Sequence, residues 1–241
     1  DNDGPLPYGY VDDRDVLWSK IVWEFIDLNQ KINLPYYFPI DTTNISNDRR
    51  SLFDTLIKGI KQGKIKEAYS DSFFTSKITQ NEIDSRLTSL RDQNGYVDTV
   101  RLQTQDVEGY MIKGMWYFDK RQGELKYRLL ALAPMGKDVQ TIGVQDIEDE
   151  NLYELFWIFF PSARDVLHDA KVFNPKNVAQ PISFDHMLNA RRFSSTIVRE
   201  ENIYGNRAIA DYVRGNSLFQ LLEADKIKEN IRNREMDMWN Y

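Results

Sequence analysis

The sequence predicts an α+β fold: an antiparallel sheet flanked by helices, followed by a helical C-terminal segment. Three observations carry this. Apolar residues alternate with period two through Tyr110, Ile112, Trp116 and Phe118, and again through Leu125, Tyr127, Leu129, Ala131 and Ala133. Leu52, Phe53, Leu56, Ile57 and Ile60 recur at helical spacing. Leu221, Ala224, Ile227, Ile231 and Met238 draw a narrower helical stripe near the end of the chain.

Taken in order, residues 1–10 hold two prolines and two glycines with little periodicity, which predicts a flexible lead-in. Asp12 and Asp13 are placed to cap a helix that begins near Arg14. The run from Val16 to Ile32 is apolar around much of a helical circumference, so the expectation is a helix buried on two sides. Pro35-Tyr-Tyr-Phe-Pro39 should end it as an extended aromatic connector. The helix through Ile60 stops near Gly63, and Thr79-Gln-Asn-Glu82 has the form of a capping box for a short helix through Leu90. Asn94-Gly95 marks a turn.

The strand ending at Asp119 turns through Lys120-Arg-Gln-Gly123, and Pro134-Met-Gly136 closes its return. Lys113, Tyr117 and Asp119 fall on its second face. Leu152–Phe160 does not alternate and predicts a strand covered on both faces. Ser162-Ala-Arg-Asp165 should cap one short helix and Ser183 another, with a strand from Phe193 to Arg199. The domain reading is a lead-in at 1–10, an α+β core at 11–207, and a helical segment at 208–241 that packs on the core or on a partner.

Composition narrows the chemistry. The chain has 241 residues, 41% hydrophobic and 13% aromatic, enough to fill a core. A net charge of −6 argues against a general nucleic-acid surface. There is no cysteine, which removes disulfides, thiolate nucleophiles and Cys-ligated metals. No stretch reaches the ~20 apolar residues of a spanning helix. No signal peptide is visible at Asp1, although a mature exported chain would look the same.

Phosphate-binding G-x-x-x-x-G-K-[ST] and G-x-G-x-x-G motifs and the G-x-S-x-G elbow are all absent from the sequence. The two histidines, His168 and His186, lie 18 residues apart and read better as helix surface than as ligands or bases. Asp146-Ile-Glu148-Asp149-Glu150 is acidic but lacks EF-hand spacing, so a solvated loop is the better reading than a calcium site. No carboxylate pair is nominated for acid–base work, and no metal or cofactor is expected.

The aromatic surplus is more telling. Trp116 and Trp157 sit in predicted strands and belong to the core. Trp239 and Tyr241, with Met238 and Ile231 on the same terminal stripe, are the candidate partner-binding residues. Docking of that stripe on its own domain is the alternative. On the residues alone, three functions stay open: an interaction subunit, a glycan-binding module using stacked aromatics, and a hydrolase built on a carboxylate pair.

An ordered set of segments points further. Tyr8-Gly-Tyr-Val-Asp-Asp-Arg-Asp-Val-Leu-Trp-Ser-Lys-Ile-Val-Trp23 is followed by Ile26-Asp-Leu-Asn29 and Asn33-Leu-Pro-Tyr-Tyr-Phe-Pro39. Then come Ile112-Lys-Gly-Met-Trp-Tyr-Phe-Asp119, Leu132-Ala-Pro134, and Leu155-Phe-Trp-Ile158 with Pro161 and Arg164. Arg192-Phe-Ser-Ser-Thr-Ile197 and Glu235-Met-Asp-Met-Trp-Asn-Tyr241 complete it. Together these resemble the GldN/PorN family of gliding and type IX secretion proteins of Bacteroidota. The resemblance implies a non-catalytic protein, exported to the periplasm and associated with the outer membrane. Its implied partners are an outer-membrane lipoprotein (GldK/PorK) and the periplasmic shaft of an inner-membrane motor (GldM/PorM), with assembly into a large ring. Gliding itself is not implied, because non-motile relatives keep the secretion machinery. Family members extend beyond these segments at one or both ends, which implies trimmed tails here.

Overall fold

A computed structural model describes residues 4–9, 15–40, 49–93, 96–144, 151–172 and 182–201. The fold is α+β. Its main sheet has seven strands in the order β2-β8-β6-β5-β1-β9, with β7 paired to β6, and a second sheet is the hairpin β3-β4. The strands are β1 (Val16–Asp27), β2 (Ala68–Tyr69), β3 (Thr88–Gln93), β4 (Tyr96–Arg101) and β5 (Val107–Asp119), then β6 (Glu124–Gly136), β7 (Tyr153–Glu154), β8 (Trp157–Phe159) and β9 (Thr196–Glu200). The helices are α1 (Leu52–Lys61), α2 (Gln80–Arg86), α3 (Phe160–Asp169) and α4 (Phe184–Asn189).

The largest correction falls on the first element, where β1 replaces the expected helix over residues 16–27. Apolar residues around a whole helical circumference are also what a strand covered on both faces looks like. Val16, Ile21, Val22 and Ile26 are β-branched, and Trp23 and Phe25 are aromatic, the types that fit a pleated surface. The strand lies beside β5. Lys120 N donates to Asp15 O at 2.7 Å and Leu28 N to Glu108 O at 3.0 Å, so the two run antiparallel. On its other side β1 pairs antiparallel with β9, with a bulge between Trp23 and Glu24. The caps at Asp12 and Asp13 lie outside the described residues.

Smaller corrections follow from local chemistry. Pro35 and Tyr36 are not extended but sit in a 3-10 helix, Lys31–Tyr36, and the connector narrows to a cis Phe38–Pro39 bond. The capping box is present, with Thr79 Oγ1 accepting from Glu82 N and Glu82 answering at Thr79 N. Helix α2 nevertheless stops at Arg86, and β3 occupies part of the expected helix. The single strand expected over 152–160 divides into β7 and β8, while Phe160 already opens α3. Pro161 therefore takes the helix start, where its missing N–H costs nothing, ahead of the expected Ser162 cap. Ser183 caps α4 as expected by accepting from His186 N. The last strand is Thr196–Glu200 rather than Phe193–Arg199.

The described residues fall into two compact units, one within Asp1–Pro5, Asp27–Met111 and Ala131–Ser194, the other within Leu6–Ile26, Ile112–Leu130 and Ser195–Tyr241. In the first, Tyr36, Leu52, Leu56, Phe156, Trp157, Phe160 and Phe184 are fully buried. Helix α1 approaches α3 so closely that a Cβ on Gly59 would come within 3.0 Å of Val166 Cγ1. Asn33, also fully buried, donates to Asp27 O (2.7 Å) and Ser194 O (2.9 Å) and accepts from Ser194 N (2.9 Å). The edge strand β2 is closed by its own chain. Ser70 N donates to Ser76 O and Ile78 N to Ala68 O, both at 2.9 Å.

In the second unit, Trp23 is fully buried with the Lys113 ammonium 5.2 Å and the Arg199 guanidinium 4.5 Å from its ring centre. Such cation–ring contacts let two charged side chains lie against the apolar interior. This explains why the expected polar face of β5 is itself covered: Lys113, Tyr117 and Asp119 are all buried. The hairpin tip is fastened by Asp119, whose Oδ1 accepts from Arg121 N (3.0 Å) and Gln122 N (3.2 Å) while Oδ2 accepts from Lys126 Nζ (3.2 Å). Trp116 is half-buried against Tyr127, their ring centres 5.0 Å apart.

Candidate interaction surface

Among the described residues, the two histidines stand on separate helices. His168 is in the last turn of α3 and His186 is an exposed residue of α4. Among the described residues, no group of three or more His, Asp or Glu is placed to hold a metal ion. The carboxyls of Glu67, Asp71, Glu82 and Asp119 are all held below their ordinary value. At Glu67 the Tyr69 hydroxyl is the largest cause, and at Glu82 the Thr79 backbone N–H. At Asp71 and Asp119 burial opposes the shift and hydrogen bonds outweigh it. A general acid requires the opposite, a raised value. Burial pushes the Tyr36 and Tyr110 hydroxyls up, which suits core phenols.

The acidic run at 146–150 and the candidate partner-binding residues Ile231, Met238, Trp239 and Tyr241 lie outside the described residues. Trp157 is a core residue as expected, its Nε1–H donating to Glu154 Oε2 at 2.6 Å.

The structure instead singles out the β3–β4 hairpin. Its register pairs Thr88 with Arg101, Leu90 with Thr99 and Asp92 with Val97 on one face. On that face Leu90 is 70% exposed and Val97 67%. The two stand diagonally across the strands, so they form one apolar spot rather than two scattered residues. The opposite face is tied down, with Arg91 Nη2 donating to Gln140 O at 3.0 Å and Val139 O at 3.3 Å. The base is fixed by Leu102 N on Leu87 O (2.8 Å) and by the Arg101–Asp84 ion pair (2.7 Å). The ribbon is thus held on one side and carries two exposed apolar residues among polar ones on the other.

This hairpin is not among the expected elements, though its signal is present in the sequence. Asn94-Gly95 between Leu90 and Val97 is a strong short-range hairpin pattern. The capping box drew the helix too far and hid the strand behind it.

The fold defines the class, an α+β protein whose β3–β4 hairpin leaves Leu90 and Val97 exposed. Residues 11–240 match the family model described as "Gliding motility associated protein GldN", nearly the whole length of the chain. The chain belongs to the GldN family, whose members are structural components of the gliding motility and type IX secretion machinery. No curated protein matches the sequence. Among the described residues, no helix is long and apolar enough to cross a membrane.

Proposed function

We propose that this protein is a non-catalytic subunit of a periplasmic ring associated with the outer membrane, serving export by the type IX system. Its partners in this reading are an outer-membrane lipoprotein of the GldK/PorK kind and the periplasmic shaft of a GldM/PorM-like motor. The observation that carries the reading is the family match over residues 11–240. The exposed Leu90–Val97 spot supports it, because a subunit that works by contact needs apolar surface that its own core does not use. The segment from 208 to the end serves as the partner-binding arm, with Ile231, Met238, Trp239 and Tyr241 as its anchors.

The test is a pull-down of the tagged full chain from envelope extracts, read by mass spectrometry, beside a variant ending at Gly215. The full chain is expected to bring down the lipoprotein and the shaft protein, and the shortened one to lose at least one of them. Recovery of neither by the full chain overturns the ring assignment. Equal recovery by both forms overturns the role given to the arm.

A further inference from the structure

Helix α1, the end of α2 and the chain leaving β4 line a groove of about 200 Å³ in the first compact unit. Phe53, Leu87 and Leu102 are its buried floor, Ile57 is half-buried beside them, and Ile40 stands at its lip, 41% exposed. We propose that this groove binds a peptide segment of a partner protein in which a bulky apolar side chain neighbours an acidic residue. The apolar side chain enters the groove, and the carboxylate meets the ammonium of Lys61.

The walls are fixed before any ligand arrives. Ser51 Oγ and Thr104 Oγ1 lie 3.2 Å apart and tie the start of α1 to residue 104. Leu102 N donates to Leu87 O at 2.8 Å, and Arg101 Nη2 to Asp84 Oδ1 at 2.7 Å. A groove held in this way needs little ordering on binding, which favours even a small contact.

Charge selects the neighbour of the anchor. Among the described residues, the charged side chains of the lining are Asp54, Lys61 and Arg101. Asp54 is answered by Arg50 at 2.8 Å and Arg101 by Asp84 at 2.7 Å, so both pairs are neutral. Lys61, exposed in the last turn of α1, has no carboxylate or hydrogen-bond partner among the described residues. A lysine there complements the helix dipole, and that role leaves its ammonium N–H groups to donate. The unanswered charge of the groove is one cation, and a carboxylate complements it.

Size selects the anchor. A volume of about 200 Å³ is smaller than the roughly 300–1,000 Å³ of small-molecule sites and is on the scale of one large side chain. An apolar side chain carried by a peptide fills it, while the rest of the peptide lies over Ile40 at the lip. Removing that apolar surface from water supplies affinity, and Lys61 supplies selectivity. The inference holds whether or not the ring-subunit reading does, because it needs only this unit of the fold.

The experiment is a titration of the isotope-labelled full chain with the peptide acetyl-Gly-Glu-Phe-Gly-amide, followed by backbone amide NMR. Saturable shifts confined to residues 53–61, 87 and 101–104 are expected, with millimolar affinity. Exchanging the phenylalanine of the peptide for alanine should weaken binding about tenfold. Exchanging its glutamate for glutamine should weaken binding about threefold, the scale of an exposed ion pair. Lys61→Glu, a change at an exposed position, should reverse the preference, so that a lysine peptide binds better than the glutamate one. Unchanged spectra away from the groove establish that the variant is folded. Concentration-dependent shifts of the same amides without peptide would give the groove to a second copy of the chain and overturn the proposal. So would absence of saturable shifts, shifts centred elsewhere, or indifference to the phenylalanine. Equal binding of the acidic and neutral peptides, an unreversed preference in Lys61→Glu, or tighter binding of free hydrocinnamate would each do the same.

Discussion

Arg164 grips Asp185 with both arms of its guanidinium, Nε to Oδ1 at 2.7 Å and Nη2 to Oδ2 at 3.0 Å. Only 10% and 5% of the two side chains are exposed, and the pair joins α3 to α4. Asn189 Nδ2 donates to Asp185 as well, at 3.0 Å, so the carboxylate is held from two sides.

Replacing one partner of such a pair strands the other. Arg164→Met is expected to cost about 3–5 kcal/mol, read as a shift in urea denaturation. The double variant Arg164→Met/Asp185→Leu should be less destabilised than the single one, because no charge is left buried. A double variant as unstable as the single would show that packing, not charge, sets the cost.

Asp119 gives the fold an acid-sensitive fastening. Burial works against its carboxylate, but Lys126 and the N–H groups of Gln122 and Arg121 together outweigh it and hold the carboxyl below its usual value. A group depressed in this way stabilises the fold above its unfolded value, near pH ~4, and loses that contribution as pH falls through the folded value. Melting temperature should therefore fall less steeply between pH ~5 and ~3 in Asp119→Asn than in the parent. Parallel curves would refute the assignment.

The turn and the sheet that it closes were plain in the sequence; β1 was not. The β5–β6 hairpin could be read because Lys120–Gly123 separates two alternating runs, and α1 because its apolar residues keep one helical face. In β1 the same residue types fill both faces, and a strand and a buried helix then give one pattern. What decides between them is non-local, namely the neighbours β5 and β9. No local pattern around Asn33 signals that it fastens Asp27 to Ser194, residues far apart in the chain. Of the hairpin, the Asn94-Gly95 pattern was legible but the exposure of Leu90 and Val97 was not, since burial depends on where Arg91 is anchored.

Gly114 leaves room for Tyr127, and a Cβ there would overlap the hydroxyl end of its side chain. Gly114→Ala must therefore displace Tyr127 from its place beside Trp116, at a cost of about 1–3 kcal/mol. Guanidinium unfolding and the near-ultraviolet circular dichroism of the Trp116–Tyr127 pair should report the loss together. Adding Tyr127→Leu to Gly114→Ala should recover part of the stability. A substitution that is silent by both readouts would contradict the packing.

Leu90→Ser with Val97→Ser tests the hairpin face. Both residues are mostly exposed, so stability should stay within about 0.5 kcal/mol of the parent. Co-purification with envelope partners should fall. Full recovery of partners with this variant would remove the hairpin from the interface.

The hook of residues 70–78 over β2 has a consequence for life in crowded company. A bare sheet border is an invitation for any neighbouring chain to zip itself on, and copies stored side by side raise that hazard. Because the chain doubles back over this border, indiscriminate fusion of sheets is blocked on that flank. Joining at that flank must therefore go through side chains, which can discriminate between neighbours, rather than through the backbone, which cannot.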